Sequence, residues 1–397
     1  MSSNTRRLVV LCCAALAAVL CGRPSRPDNL PASSTHTASF ALELLERAGA
    51  SAPDKNVALS PLSIGNALAV TGHGARGRTA QEFDTLLHLP VRDNPPVAAR
   101  QLASAAGGDN RPVLVRSALW LPASLPVNPG FTPAPFDARV AALPDDQQQA
   151  VTTINAWIAE ATHGVIRELV APPIDTRAFV VTSTAYFKGR WVAPFNPNDT
   201  RLKDFLVRGG TPYKVPMMRQ TGIDALYWSS GDLEAILLPF RGGPLHYVIV
   251  TSHSRAPAEE ILTLIRERAL AAELLSGARF ELRHGSIEIP RHRVEFGMEL
   301  REPLQQLGLR TAFSPAADFS GLSAEPLRLA SAPHRALLVV DEAGAEAAGA
   351  TAVGSTLGMP PQQPPTLNFI ADRPFVALLV ARDVPEWPVM VALIRSP

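Results

Sequence analysis

Apolar residues recur at helical spacing near the start of the chain and at strand spacing through much of the remainder. Residues 38–48 and 154–170 have the helical pattern, and so does 259–275. Alternating or continuous apolar runs predict strands, with a pair of strands joined by a short glycine-rich turn. Helices and strands together predict an α+β fold. The predicted strands are 113–121, 179–191, 233–239, 245–251 and 280–296.

One helix is predicted by its end signals as well as by its apolar face. Ser60 can cap the first turn, and Pro61 suits the first helical position because that residue needs no N–H donor. Gly72 or Gly74 is expected to end the helix. The residues on its predicted face are Ile64, Ala67, Leu68 and Thr71.

The segment 339–359 has the pattern of a strand without a partner. Proline would block strand pairing because it lacks the N–H donor, yet none lies between Pro333 and Pro360 in a chain with 37 prolines. Such a segment could enter a sheet with its small face inward and Glu346 in water. The small face consists of Ala345, Ala347, Gly349, Thr351, Val353 and Ser355.

Residues 1–22 have the features of an export signal. Arg6 and Arg7 precede an apolar run over 8–20, which is too short to span a bilayer comfortably as a permanent anchor. Residues 23–36 are rich in Pro, Ser and charge, and they predict a linker. We therefore expect an exported protein, extracellular or periplasmic.

The three cysteines, Cys12, Cys13 and Cys21, all lie within this signal. The mature chain can therefore form no intramolecular disulfide, and its stability must come from core burial. A lipid anchor at Cys21 stays open as an alternative, although Leu20 fits poorly the small residue that such processing prefers.

The overall charge and the missing catalytic motifs argue against two functional classes. A formal net charge of +1 argues against a general nucleic-acid binder. The sequence has no G-x-S-x-G or H-E-x-x-H motif, and the mature part has no nucleophilic cysteine. His334 lies in an apolar strand, and we interpret it as a structural group. We expect no enzyme, no cofactor and no metal.

The segment Gly72–Thr79, GHGARGRT, matches G-x-G-x-x-G and nearly matches a phosphate-binding loop, with Arg78 in place of lysine. Both motifs need a strand before the loop, because the phosphate binds at the N-terminus of the following helix. A helix is predicted there instead. A nucleotide-binding enzyme is thus a remote alternative.

Several segments together resemble the serpin family. The segment 341–351, DEAGAEAAGAT, is similar to the serpin reactive-loop hinge, and 186–191, YFKGRW, to another family motif. The resemblance covers about 37–397 and implies a single serpin domain with about three β-sheets, surrounding helices and an exposed loop over about 342–368. Further matching positions are Asn56, Ser60, Pro61, Ser63, Gly74–Thr79, Asn155, Trp157, Thr162, Gly164, Ile166, Pro194, Phe195, Thr200, 300–321 and 369–375.

The resemblance implies a suicide-substrate inhibitor of a serine-type protease, and together with the export segment it indicates an exported prokaryotic member. It also implies a structural cluster where the central sheet parts, made of Asn56, Ser60, Ser63, Ser183 and His334. Ser183 departs from the family, which usually has Asn there. The implied hinge consists of Glu342, Gly344, Ala345, Glu346, Ala347, Ala348, Gly349, Ala350 and Thr351.

Family spacing places the reactive bond at Gly358–Met359, with Leu357–Gly358 one step away. Leu or Met would suit a chymotrypsin-like or subtilisin-like protease, and the small residues near Val353 an elastase-like one. No Arg or Lys lies between Arg335 and Arg373, which argues against a trypsin-like target.

A non-inhibitory serpin that binds or chaperones a ligand remains the alternative, since it would share almost every motif. Arg92, Arg100 and Arg111 are too dispersed for a polyanion cofactor site. We expect a monomer whose partner is a protease and not a nucleic acid.

Overall fold

Strands in two hydrogen-bonded sheets form the framework of the protein. The structure, a computed structural model, describes residues 32–88, 113–134, 136, 138–241, 243–342, 366–381 and 387–397. The strands in these ranges are β1 (Val57–Leu59), β2 (Val113–Pro122), β3 (Arg139–Leu143), β4 (Phe179–Lys188), β5 (Arg201–Phe205), β6 (Tyr213–Ser230), β7 (Leu233–Pro239), β8 (Leu245–Ser252), β9 (Glu281–Pro290), β10 (His292–Glu299), β11 (Leu329–Ser331), β12 (Pro333–Val340), β13 (Thr366–Ile370), β14 (Phe375–Ala381) and β15 (Met390–Ile394).

Helices pack around these sheets, and Ser33–Pro397 form one compact unit. No helix in the described ranges is long and apolar enough to cross a membrane. The helices are α1 (Ala32–Ser51), α2 (Pro61–His73), α3 (Gly77–Leu87), α4 (Gln147–Ala161), α5 (Ala258–Glu267), α6 (Ala271–Ser276) and α7 (Arg301–Gln306), with short 3-10 turns at Pro197–Asp199 and Thr311–Phe313.

The smaller sheet has the strand order β10-β12-β4-β2-β3, and β11 also pairs with β4. At its centre, β12 and β4 run parallel and pair directly, from His334 opposite Ser183 to Val339 opposite Lys188. Nine of the ten residues of β4 are buried or half-buried, as the apolar run from Phe179 predicts. The chain leaves β12 at Glu342, the last residue described before 366.

The larger sheet has the order β1-β15-β14-β8-β7-β6-β9-β13, with β5 beside β6. Its longest strand, β6, has 18 residues and pairs with both β7 and β9. We expected about three sheets, but the described strands form two. The reason is that β6 continues without a break from one set of partners to the other.

Three helix predictions can be compared with the observed elements. Ser60 caps α2 by accepting a hydrogen bond from the Ser63 N–H, and Gly74 follows its end, as predicted. Helix α1 begins at Ala32, so residues 32–36, predicted as the end of the linker, are helical. The single helix predicted over 259–275 is wrong: α5 ends at Glu267, and Ala269 has a left-handed φ of 52°, which breaks the helix before α6.

The Gly72–Thr79 segment follows a helix, and three of its backbone amides have partners within the fold. Helix α2 precedes it, and no strand lies there. Gly74 N–H donates to Thr71 O at 3.1 Å, Ala75 N–H to Gly72 O at 3.0 Å, and Arg76 N–H to Asp318 O at 2.9 Å. Because a helix and not a strand precedes the segment, it lacks the strand–loop–helix arrangement that both phosphate-binding motifs require.

Candidate functional site

His334 links three chain segments at the centre of the smaller sheet. Its Nε2 accepts the Ser60 backbone N–H at 3.1 Å, and its Nδ1 lies 2.9 Å from Ser183 Oγ on the neighbouring strand. Because a backbone N–H can only donate, Nε2 must be unprotonated, and Nδ1–H donates to Ser183. The imidazole is therefore neutral and joins β12, β4 and the start of α2.

Burial favours this neutral form. His334 is 1% exposed, and burial lowers its pKa to about 3, while hydrogen bonding with the Ser183 backbone acts in the opposite direction. Desolvation disfavours an imidazolium because the charge would lose its water without gaining a carboxylate partner. A proton on Nε2 would also displace the Ser60 N–H.

Three serines, two at the start of α2 and one on β2, extend this network. Ser60 Oγ donates to Val389 O at 2.7 Å and accepts the Ser63 N–H at 3.1 Å. Ser117 Oγ on β2 donates to Ser63 O at 3.2 Å. Ser60, Ser63, Ser183 and His334 thus lie together, as the resemblance implied, and all four are buried.

Asn56 does not join that cluster, so its predicted place there is wrong. Its Oδ1 accepts the backbone N–H groups of Arg395 and Ser396 at 2.7 and 3.0 Å, and its Nδ2 donates to Ser396 O. Asn56 precedes β1, which pairs with β15, so the amide binds the chain segment that follows β15. Asn56 is only four residues from Ser60 in the chain, but its side chain stabilises the end of β15 in the larger sheet.

The end of β12 is fixed by contacts from three other segments. Trp191 Nε1 donates to Asp341 O at 2.9 Å, and Lys188 Nζ lies 3.1 Å from the Asp341 carboxylate. Glu342 is only 7% exposed; it accepts from Thr200 Oγ1 at 2.7 Å and faces Arg291 at 3.8 Å. These contacts hold the point from which the chain continues into 343–365.

Trp191 and Thr200 belong to the motifs that carried the family resemblance, but sequence reasoning did not assign them this anchoring role. Arg291 was missed altogether, because nothing in its own segment signals a distant partner. The remaining predicted hinge residues, Gly344–Thr351, and the reactive-bond residues Leu357, Gly358 and Met359 lie outside the described residues.

The chain re-enters the structure at β13, which pairs in parallel with β9. Gly285 on β9 approaches this strand so closely that a Cβ there would lie 1.9 Å from Leu367 O. Only glycine allows this contact, because real Cβ atoms do not approach a carbonyl oxygen so closely. Glycine at 285 is therefore a condition for the pairing of β13.

The described residues around His334 form a structural hydrogen-bond network. Within these ranges, no group of three or more His, Cys, Asp or Glu side chains is placed to hold a metal ion. The His334 imidazole contacts a backbone N–H of one segment and a hydroxyl of another, and both of its ring nitrogens are occupied.

Comparison with known sequences agrees with this architecture. The family described as Serpin (serine protease inhibitor) matches residues 35–386. An uncharacterized serpin-like protein of Thermococcus kodakarensis is 32% identical over 342 residues, covering 83% of this chain and 78% of that protein. Serine protease inhibitor 42Dd of Drosophila melanogaster is 31% identical, covering 79% of this chain and 86% of the relative.

Solved structures show the same fold. Serpin48 of the insect Tenebrio molitor superposes with a TM-score of 0.76 at 23% identity, covering 92% of this chain and 97% of that one. Uncleaved ovalbumin superposes with a TM-score of 0.77 at 21% identity, covering 91% and 100%. With its two sheets and surrounding helices, the chain belongs to the serpin family.

Proposed function

We propose that this protein inhibits a serine-type protease as a suicide substrate. The protease attacks a bond in 343–365 and forms an acyl-enzyme. The cut segment then enters the smaller sheet as a new strand and carries the tethered protease with it. The observation that carries this proposal is the direct parallel pairing of β12 and β4, with the candidate insert attached to the end of β12.

The direction of the chain supports insertion. A segment that turns back after Glu342 runs antiparallel to β12, and therefore antiparallel to β4 as well. One parallel contact would be replaced by two antiparallel ones, which are slightly more stable per residue. Each net hydrogen bond contributes about 0.5–1.5 kcal/mol, so a strand of roughly 14 residues would release on the order of 10 kcal/mol.

The cluster around His334 fits a role in controlling sheet opening. Neighbouring strands lie about 4.8 Å apart, so a strand placed between β4 and β12 would move Ser183 away from His334 by about that distance. The 2.9 Å hydrogen bond between them would break. Intact protein would thus be held in its starting form by a kinetic barrier to which this bond contributes.

The inserted strand must present small side chains to the core, and Ala345 is the first residue of that face. We expect Ala345→Arg to convert the inhibitor into a substrate, because an arginine cannot be buried there unpaired. Glu346→Arg, one residue later on the solvent face, is the matched control and should retain inhibition.

The direct experiment is incubation of the protein with chymotrypsin, subtilisin and pancreatic elastase. Inhibition should give a covalent complex that survives SDS, and sequencing of the released C-terminal peptide would locate the reactive bond at Gly358–Met359 or Leu357–Gly358. Stoichiometric inhibition by Ala345→Arg, or cleavage without any complex by all three proteases, would rule the mechanism out. Analysis of the secreted and membrane fractions would test export, and with it the lipid anchor at Cys21.

A non-inhibitory binding function is the second candidate, favoured by one observation. A cavity of about 380 Å³ lies between α1 and the α5–α6 region, lined by Leu42, Glu43, Glu46, Arg266 and Ala269 among others. A binding serpin would be cut in the loop without trapping the protease.

A further inference from the structure

A rim of basic side chains surrounds the point where the chain leaves β12. Lys188 and Arg291 contact Asp341 and Glu342 directly. Arg190 precedes Trp191 in the chain, and Arg201 follows Thr200. Trp191 and Thr200 donate hydrogen bonds to Asp341 and Glu342, respectively. The cationic rim consists of Lys188, Arg190, Arg201, Lys203, Arg219, Arg241 and Arg291.

Further contacts connect the outer members of the rim to this point. Arg241 N–H donates to Arg190 O at 2.6 Å, which places these two residues on adjacent backbones. Lys203 and Arg219 reach the same carboxylate, Glu288, at 2.5 and 3.2 Å. Glu288 is only three residues from Arg291 on the chain, which connects Lys203 and Arg219 to the part of the rim beside Glu342.

The rim carries more positive charge than its carboxylates neutralise. Glu288, Asp341 and Glu342 are paired within it, and Asp199 lies two residues before Arg201. Asp204, next to Lys203, is paired with Lys214 outside the rim. Seven cations against four carboxylates leave an excess of three charges, in a protein whose formal net charge is +1. Arg190, Arg201 and Arg241 are exposed and form no ion pair with the described residues.

The segment 343–365 cannot provide this electrostatic recognition itself, because Glu346 is its only charged residue. A protease bound to that segment must lie close to the surface around Asp341 and Glu342, because the segment follows these residues directly in the chain. Charge on that surface therefore determines how fast a charged protease reaches it, with effects of about 10- to 1000-fold on association.

We infer that the cationic rim is a docking surface for the target protease, and that the target is a serine-type protease with an acidic surface around its active-site cleft. This inference rests on the proposed function and adds the charge class of the partner. A polyanion is the competing occupant. The protease is favoured because the rim surrounds Asp341 and Glu342, and the segment that the protease must bind follows them directly in the chain.

The test uses one protease in two charge forms. Chymotrypsin whose active-site serine has been converted to dehydroalanine cannot acylate, so its binding reports docking alone. Succinylation of its lysines gives the acidic form. We expect the acidic form to associate with this protein about 10-fold faster than the untreated form at about 20 mM salt, and the difference to vanish near 1 M, where the screening length is only about 3 Å.

The variant Arg190→Glu/Arg201→Glu/Arg241→Glu should lose this preference. Its matched control, Arg78→Glu/Arg177→Glu/Arg279→Glu, changes the net charge equally at side chains that are 81%, 91% and 75% exposed and lie away from the rim. Unchanged melting temperatures would show that both variants fold. The control should keep the preference for the acidic form.

Equal association of both variants with the acidic form would overturn the inference. So would a rim variant that loses binding to a polysulfated polysaccharide but associates normally with the acidic protease, because the surface would then serve a polyanion. An SDS-stable complex with active, untreated chymotrypsin reports the inhibitory function separately. If the wild-type protein showed no preference for the acidic form but still trapped chymotrypsin, only the docking surface would be overturned.

Discussion

At the scale of single residues, the hydrogen bond between His334 and Ser183 is the most consequential contact of the smaller sheet. It joins directly opposed residues of two parallel strands, and both side chains are buried. Family motifs predicted that these residues would lie together. They could not predict that serine, with a shorter side chain than asparagine, still reaches the imidazole, since that depends on the register of the strands.

Ser183→Ala should lower the free energy of unfolding by about 1–3 kcal/mol, because it leaves the His334 Nδ1–H buried without its acceptor. Urea denaturation measures the change. The neighbouring Thr184 is an ideal control: its Oγ1 is buried and has no hydrogen-bond partner among the described residues. Thr184→Val should therefore be neutral or stabilising, and equal losses for the two variants would contradict the assignment.

Two buried histidines predict a loss of stability in acid. Burial lowers the pKa of His334 to about 3 and that of His292 to about 4, whereas an unfolded histidine titrates near pH 6.5. Between these values the unfolded chain binds more protons, so the free energy of unfolding falls as the pH falls. Each histidine contributes a slope of about 1.4 kcal/mol per pH unit between roughly pH 6 and 4.

The variant His292→Phe separates this effect from the titration of carboxylates. His292 lies among aromatic rings, with Tyr247 OH 2.8 Å from its Nε2. Urea denaturation at about pH 7, 6 and 5 should give a slope smaller by about 1.4 kcal/mol per pH unit in the variant. Parallel pH profiles for the two proteins would show that His292 is not buried in its neutral form.

At the scale of elements, β13 depends on one glycine of its neighbour. Gly285→Ala would push Leu367 O away by more than an ångström and should release β13 from β9. Hydrogen exchange of the 366–370 amides should then become fast. Gly222→Ala, in the β6 partner strand at a φ of 66° with open space around it, should cost only about 1 kcal/mol and leave that exchange slow.

Local signals predicted the elements well where the residues themselves determine them. The cap at Ser60, the end of α2 at Gly74 and the bounds of β7 agree with the structure. Elements defined by distant contacts were not predictable. The continuity of β6 through two sets of partners and the break at Ala269 depend on tertiary packing that short windows do not contain.

At the scale of the whole molecule, the proposed mechanism predicts that cutting stabilises the protein. Brief treatment with subtilisin at low concentration should nick 343–365. If the cut segment inserts, the gain on the order of 10 kcal/mol should raise Tm by roughly 10 °C or more.

Nicked Ala345→Arg protein should stay within a few degrees of its intact form, because its segment cannot be buried. Differential scanning calorimetry compares the four samples. Equal Tm values for nicked and intact wild-type protein would exclude insertion and favour the binding function instead.

The position of β14 and β15 in the larger sheet also determines when this protein can finish folding. These last two strands of the chain lie between β1 and β8, so they fill the interior of the sheet and not its edge. Before they are synthesised, β8 can pair only with β7, and β1 lacks its partner strand β15. The larger sheet can therefore be completed only after β14 and β15 have been synthesised.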